Sequence, residues 1–64
     1  MIEIWIKTPK LAATYIADEI DNMTEGEALD LRYYRTYAKI KVRYNTFEQR
    51  QQINNIINKY KHDN

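Results

Sequence analysis

Trp5, Tyr34 and Tyr37 alternate with cations at strand spacing in this 64-residue chain. Lys7 follows Trp5 by two positions, Arg32 precedes Tyr34 by two, and Lys39, Lys41 and Arg43 follow Tyr37 at the same interval. Residues two apart on a strand share a face, so each ring stands beside positive charge. Unpaired bases stack on such rings at roughly 1–3 kcal/mol each, and neighbouring Lys and Arg neutralise phosphates. The same residue types are enriched at protein interface hot spots, and Tyr34 with Tyr37 also suits a plain cross-strand aromatic pair.

Covalent and metal chemistry find little here. The chain has no cysteine, no serine and one glycine, so disulfides, thiolate metal sites, nucleophile triads, phosphate-binding glycine loops and dinucleotide turns are all missing. His62, the single histidine, sits in a polar tail and reads as solvated. Asp18, Glu19 and Asp21 read as the wet face of a helix rather than a cation site. The expectation is therefore a binding protein, not an enzyme, with no metal and no cofactor.

A net charge of +1 conceals a separation of sign. Asp18, Glu19, Asp21, Glu25 and Glu27 form one block without a base, and Arg32, Arg35, Lys39, Lys41 and Arg43 form another without an acid. Such a dipolar chain directs one basic surface at its partner. Apolar runs reach only two or three residues, so no membrane span, signal peptide or lipid motif is read, and a cytoplasmic location is expected. Ile, Asn, Lys and Tyr together supply 27 residues, a bias that suits an AT-rich genome and, at this length, a phage or plasmid protein.

Local patterns place these residues on elements. Residues 2–7 alternate as a strand, with Ile2, Ile4 and Ile6 on one face and Glu3, Trp5 and Lys7 on the other. Thr8 as N-cap and Pro9 at the first helical position predict a helix from Pro9 to about Met23. Its apolar stripe is Ala12, Ile16, Ile20 and Met23, flanked by Leu11 and Tyr15, and Thr24-Glu25-Gly26 is expected to stop it, with Gly26 suited to a left-handed C′ position. Residues 28–44 read as a hairpin about an Arg35-Thr36 loop. Tyr34 then faces Tyr37, Arg32 faces Lys39 and Asp30 faces Lys41; on the other side Tyr33 faces Ala38, Leu31 faces Ile40 and Leu29 faces Val42. Arg-Thr is poor chemistry for a primed turn, which leaves a longer loop open. A capping box, Thr46 with Gln49 or Asn45 with Glu48, opens a second helix whose inner stripe is Ile53, Ile56, Ile57 and Tyr60. Phe47 lies off that stripe and either closes one end of the core or is exposed.

The order β-α-β-β-α predicts a single α+β domain over residues 1–64, a two-layer sandwich with both helices on one face of a three-stranded sheet. In a ferredoxin-like arrangement lacking the last strand, the third strand lies between the first and the second. The edge carrying Ile2, Ile4 and Ile6 is then open, and a homodimer that continues the sheet there would enlarge a small core.

Ile4-Trp5-Ile6-Lys7-Thr8 resembles the first-strand signature of the RNA recognition motif, an aromatic between aliphatics. Arg35-Thr36-Tyr37-Ala38-Lys39-Ile40-Lys41-Val42 resembles a degraded form of its third-strand signature. The resemblance implies that Trp5 and Tyr37 stack on bases and that Arg35 contacts phosphate. Thr36 replaces a glycine of that pattern, Lys39 and Val42 replace aromatics, and the fourth strand is absent. The expected function is nucleic-acid binding, to single-stranded or structured nucleic acid, through Trp5, Lys7, Arg32, Tyr34, Arg35, Tyr37, Lys39, Lys41 and Arg43. The alternative is a phage- or plasmid-type inhibitor or regulator that binds a host protein as a homodimer.

Overall fold

The computed structural model describes residues 1–61, so His62 lies outside the described residues. Strand β1 (Ile2–Pro9) leads through a 3-10 turn (Lys10–Ala12) into helix α1 (Ala13–Met23). Strands β2 (Glu27–Tyr33) and β3 (Tyr37–Tyr44) follow, then helix α2 (Phe47–Lys61). Among the described residues the sheet has three strands in the order β1-β3-β2, with β3 antiparallel to both neighbours. This is the expected α+β topology with the third strand in the middle.

Strict alternation on β3 separates the two faces. Ala38, Ile40, Val42 and Tyr44 are buried, whereas Tyr37, Lys39, Lys41 and Arg43 are half-exposed on the other side. Ile16 and Ile20 of α1 and Ile53, Ile56 and Ile57 of α2 join Ile40, Val42 and Tyr44 in one cluster, so both helices cover the same face. Burying each such aliphatic side chain contributes about 1.5–3 kcal/mol.

The hairpin register is as expected from Tyr33–Ala38 to Asp30–Lys41. Tyr34 donates its N–H to the Tyr37 carbonyl at 2.8 Å, which makes Arg35-Thr36 a two-residue loop. No described residue has positive φ, so this loop avoids the left-handed geometry that Arg-Thr would resist. The expected Leu29–Val42 pair is not formed. A β-bulge lies between Ala28 and Asp30, so Ala28 meets Val42 and Leu29 is turned out of the core. One extra residue reverses the facing of everything before it. Ala28 moves inward and Glu27 moves outward, opposite Arg43.

The helix start differs from expectation for a related reason. Thr8 and Pro9 remain in β1, paired with Ala38 and Tyr37. Thr8 is buried, and its hydroxyl donates to the Ala38 carbonyl at 3.4 Å rather than capping a helix. Ladder pairing with β3 outweighs the local cap. The α1 stripe shifts accordingly to Ala13, Ile16 and Ile20, with Ala12 half-buried against it. Met23, at the last helical position, overhangs the core and is exposed, as are Leu11 and Tyr15.

Thr24, the first residue of the expected Thr24-Glu25-Gly26 stop, ends α1. Its hydroxyl donates to the Ile20 carbonyl at 2.7 Å and accepts the Gly26 N–H at 3.0 Å. Gly26 has no positive φ. Its lack of a side chain serves close packing instead: a Cβ there would lie 3.0 Å from Ile53 Cδ1 and 3.2 Å from the Arg43 carbonyl oxygen. At the start of α2, the Thr46 hydroxyl accepts the Gln49 N–H at 3.2 Å, while Gln49 Oε1 accepts the Asn45 N–H at 2.7 Å. This is the expected box with its return bond displaced by one residue. Phe47, just inside this helix, is exposed.

Candidate nucleic-acid interface

The strand registers arrange the outward side chains in four rows across the sheet. Glu3, Arg43 and Glu27 form the first, and Trp5, Lys41 and Asp30 the second. Lys7, Lys39 and Arg32 form the third, and Pro9 with Tyr37 begins the fourth, next to Tyr34. Charge therefore changes along the strands. The first row holds an arginine between two acids, whereas the third holds three cations abreast at the ~4.8 Å strand spacing.

The acidic end is closed by ion pairs. Arg43 donates to Glu3 through Nε and Nη2, both at 3.1 Å, and Nη1 reaches Glu27 at 3.4 Å. Lys41 adds a second cation to Glu3 at 3.6 Å. The Arg43 hydrogen bonds hold the Glu3 carboxyl below the usual carboxylate range against partial desolvation, and the charges of Arg43 and Lys41 add to the effect.

At the other end the cations rest on rings. The Lys7 ammonium lies 4.6 Å from the Tyr37 centroid, the Arg32 guanidinium 4.9 Å from Trp5, and the Lys39 ammonium 5.9 Å from Tyr34. Each such contact contributes about 0.5–1 kcal/mol at an exposed site. Tyr34 and Tyr37 stack at 4.9 Å between centroids with planes 17° apart. Arg32 has Asp30 at a loose 3.9 Å, while Lys7 and Lys39 make no ion pair among the described residues.

Trp5, Lys7, Arg32, Tyr34, Tyr37, Lys39, Lys41 and Arg43 thus share the uncovered face. Arg35 stands at the exposed tip of the hairpin. Ile2, Ile4 and Ile6 lie on the helix side of β1, which is an edge strand, and Ile2 remains exposed. Two features escape sequence reasoning. The clamp of Glu3 and Glu27 on Arg43 depends on the β1–β3 register and on the bulge, and Leu29 carries no glycine-like mark that would announce a bulge. Beside the fourth row an open groove of about 580 Å³ lies between Lys7, Lys10 and Lys61, with Pro9, Leu11 and Tyr37 on its walls. Lys10 and Lys61 are distant in sequence, so only folding assembles them there.

Among the described residues no group of three or more His, Cys, Asp or Glu is placed to hold a metal ion, and no helix is long and apolar enough to cross a membrane. No protein-family model, curated protein or solved structure matches the chain.

Proposed function

We propose that the outward sheet face binds single-stranded or structured nucleic acid, with its contacts concentrated at the hairpin end. The observation that carries this reading is the row Lys7–Lys39–Arg32, three cations abreast, each laid on an aromatic ring. In the free protein the rings hold the cations in place of a ligand. An incoming base takes the ring face, and the displaced ammonium or guanidinium turns to the adjoining phosphate. Trp5, Tyr34 and Tyr37 then act as stacking platforms, with Lys7, Lys39 and Arg32 on the backbone. Arg35 and the lysines of the neighbouring groove extend the positive path. Arg43 is held by Glu3 and Glu27, so it orients the face rather than meeting phosphate.

Titration with a labelled single-stranded oligonucleotide, followed by Trp5 fluorescence, tests the reading. Neutralising three phosphates gives a slope of about −2 in log affinity against log salt, or roughly a twentyfold loss between 50 and 200 mM. Trp5 emission that stays unchanged at micromolar protein would sink it.

A protein partner is the second reading, favoured by the neutralised half of the same face, where Glu3 and Glu27 offset Arg43 and Lys41. A phage- or plasmid-type inhibitor or regulator of a host protein fits that surface. Binding that tolerates salt would distinguish it.

A further inference from the structure

The two edges of the sheet are treated differently. On β2 the edge is interrupted by the bulge at Leu29, and side chains already occupy two of its amides. Ala28 N–H donates to Asp21 Oδ1 and Leu31 N–H to Asp30 Oδ1, each at 2.8 Å. Such features blunt an edge against further pairing. Strand β1 has none of them. It runs for eight residues without a bulge, ends rather than begins with its proline, and among the described residues no side chain bonds to its outer backbone groups. Its sequence, Ile-Glu-Ile-Trp-Ile, is of the β-branched and aromatic kind that pairs well. Ile2 is 46% exposed and Trp5 38% exposed along that edge.

From this contrast we infer that β1 pairs antiparallel with β1 of a second copy, about a two-fold axis that passes through Trp5. A two-fold perpendicular to the sheet keeps both helix layers on the same side, and it permits only registers that pair residues of like facing. With the axis at Trp5, Glu3 faces Lys7 of the partner subunit and Ile4 faces the partner's Ile6. Shifting the axis to Ile4 sets Glu3 against the partner's Trp5; shifting it to Ile6 sets Glu3 against the partner's Pro9. Parallel in-register pairing would place Glu3 on Glu3 and Lys7 on Lys7. Only the Trp5 axis matches both charges.

The match extends over the whole face. In this register the cationic row Lys7–Lys39–Arg32 of one copy runs on into the Glu3–Arg43–Glu27 row of the other, so a row of three positive charges meets one of net negative charge. The pairing also covers Ile2 and joins two small cores, each near the size at which a domain without staples is marginal. It creates a six-stranded sheet with two basic ends on opposite sides of the axis. None of this depends on what the face binds.

The cysteine-free chain permits a direct test. Sedimentation of the unmodified protein should give twice the 7.8 kDa of one chain. Glu3→Cys and Lys7→Cys, carried on differently tagged copies, are then mixed and treated with a short thiol-specific crosslinker. Positions 3 and 7 are opposite neighbours in the inferred register, whereas the two copies of position 3 lie roughly 14 Å apart at about 3.4 Å per residue. Mixed-tag product should therefore exceed same-tag product severalfold. A monomeric mass at about 100 µM, where a dimer of micromolar Kd would be mostly assembled, overturns the pairing. A dimeric mass with no preference for the mixed product overturns the register.

Discussion

Lys39 stands directly opposite Lys7 in the β1–β3 ladder, and the two ammonium groups part to opposite rings, Lys7 onto Tyr37 and Lys39 onto Tyr34. Arg32 flanks Lys39 on the other side. Like charges directly opposite on a sheet are destabilising, so the free protein gives up stability to keep this row. An anion laid across it relieves the repulsion. On the proposed function, stability and binding would therefore pull in opposite directions at Lys39.

Lys39→Gln should raise the stability of the free protein by roughly a few tenths of a kcal/mol, because relief of two like-charge pairs outweighs loss of the Lys39 contact with the Tyr34 ring. The same change should make the salt dependence of oligonucleotide binding shallower by about 0.7 in log–log slope, the loss of one phosphate contact. Urea unfolding and a two-salt titration measure the two effects. A less stable variant would contradict the repulsion.

Tyr37→Ala removes one stacking platform and leaves Tyr34 without its ring partner. Oligonucleotide affinity should fall by about 1–3 kcal/mol, roughly 5- to 150-fold. Tyr37→Phe retains the ring and should stay within a few-fold of the parent protein. If Ala and Phe bind alike, stacking is not the source of affinity.

Acid should loosen the face and the helix layer together. Glu3 is held below the usual carboxylate range mainly by its Arg43 hydrogen bonds, and Glu19 mainly by its hydrogen bond from Lys59 at 2.7 Å, with desolvation opposing both. The stability linked to each group is fully present above the unfolded-state carboxylate pKa and is lost as pH falls through the lower, folded value. Thermal melts should therefore decline as pH drops below the ordinary carboxylate range. Glu3→Gln should be less stable at neutral pH and show a flatter acid limb. An unchanged limb would mean that the Arg43 clamp does not operate in solution.

Gly26→Ala tests close packing rather than backbone strain. The added methyl would press on Ile53 Cδ1 and on the Arg43 carbonyl, and the latter cannot swing aside as a side chain can. A loss of about 1–3 kcal/mol is expected from overpacking. Ile53→Val in the same chain frees space on one side only and should recover part of the loss. Full tolerance of Gly26→Ala would show that the β2 entry can shift.

Period-two alternation in residues 2–7 and 28–44, together with the Ile16, Ile20 and the Ile53, Ile56, Ile57 spacings, was enough to determine three strands, two helices and which side of the sheet is buried. Hairpin pairing from Tyr33–Ala38 to Asp30–Lys41 was legible too, because a slip by one residue would invert every side chain. These are local signals: neighbours along the chain decide them. Tertiary structure decided what depends on distant partners. Thr8 and Pro9 belong to the strand because Ala38 and Tyr37 lie across from them, although their types announce a helix start. The bulge at Leu29 carries Glu27 over to Arg43, and the β1–β3 register brings Glu3 to the same guanidinium. A list of cations on one face thus becomes a clamped end and a charged end. Residue type specifies a charge, but only the register across three strands specifies which charge it meets.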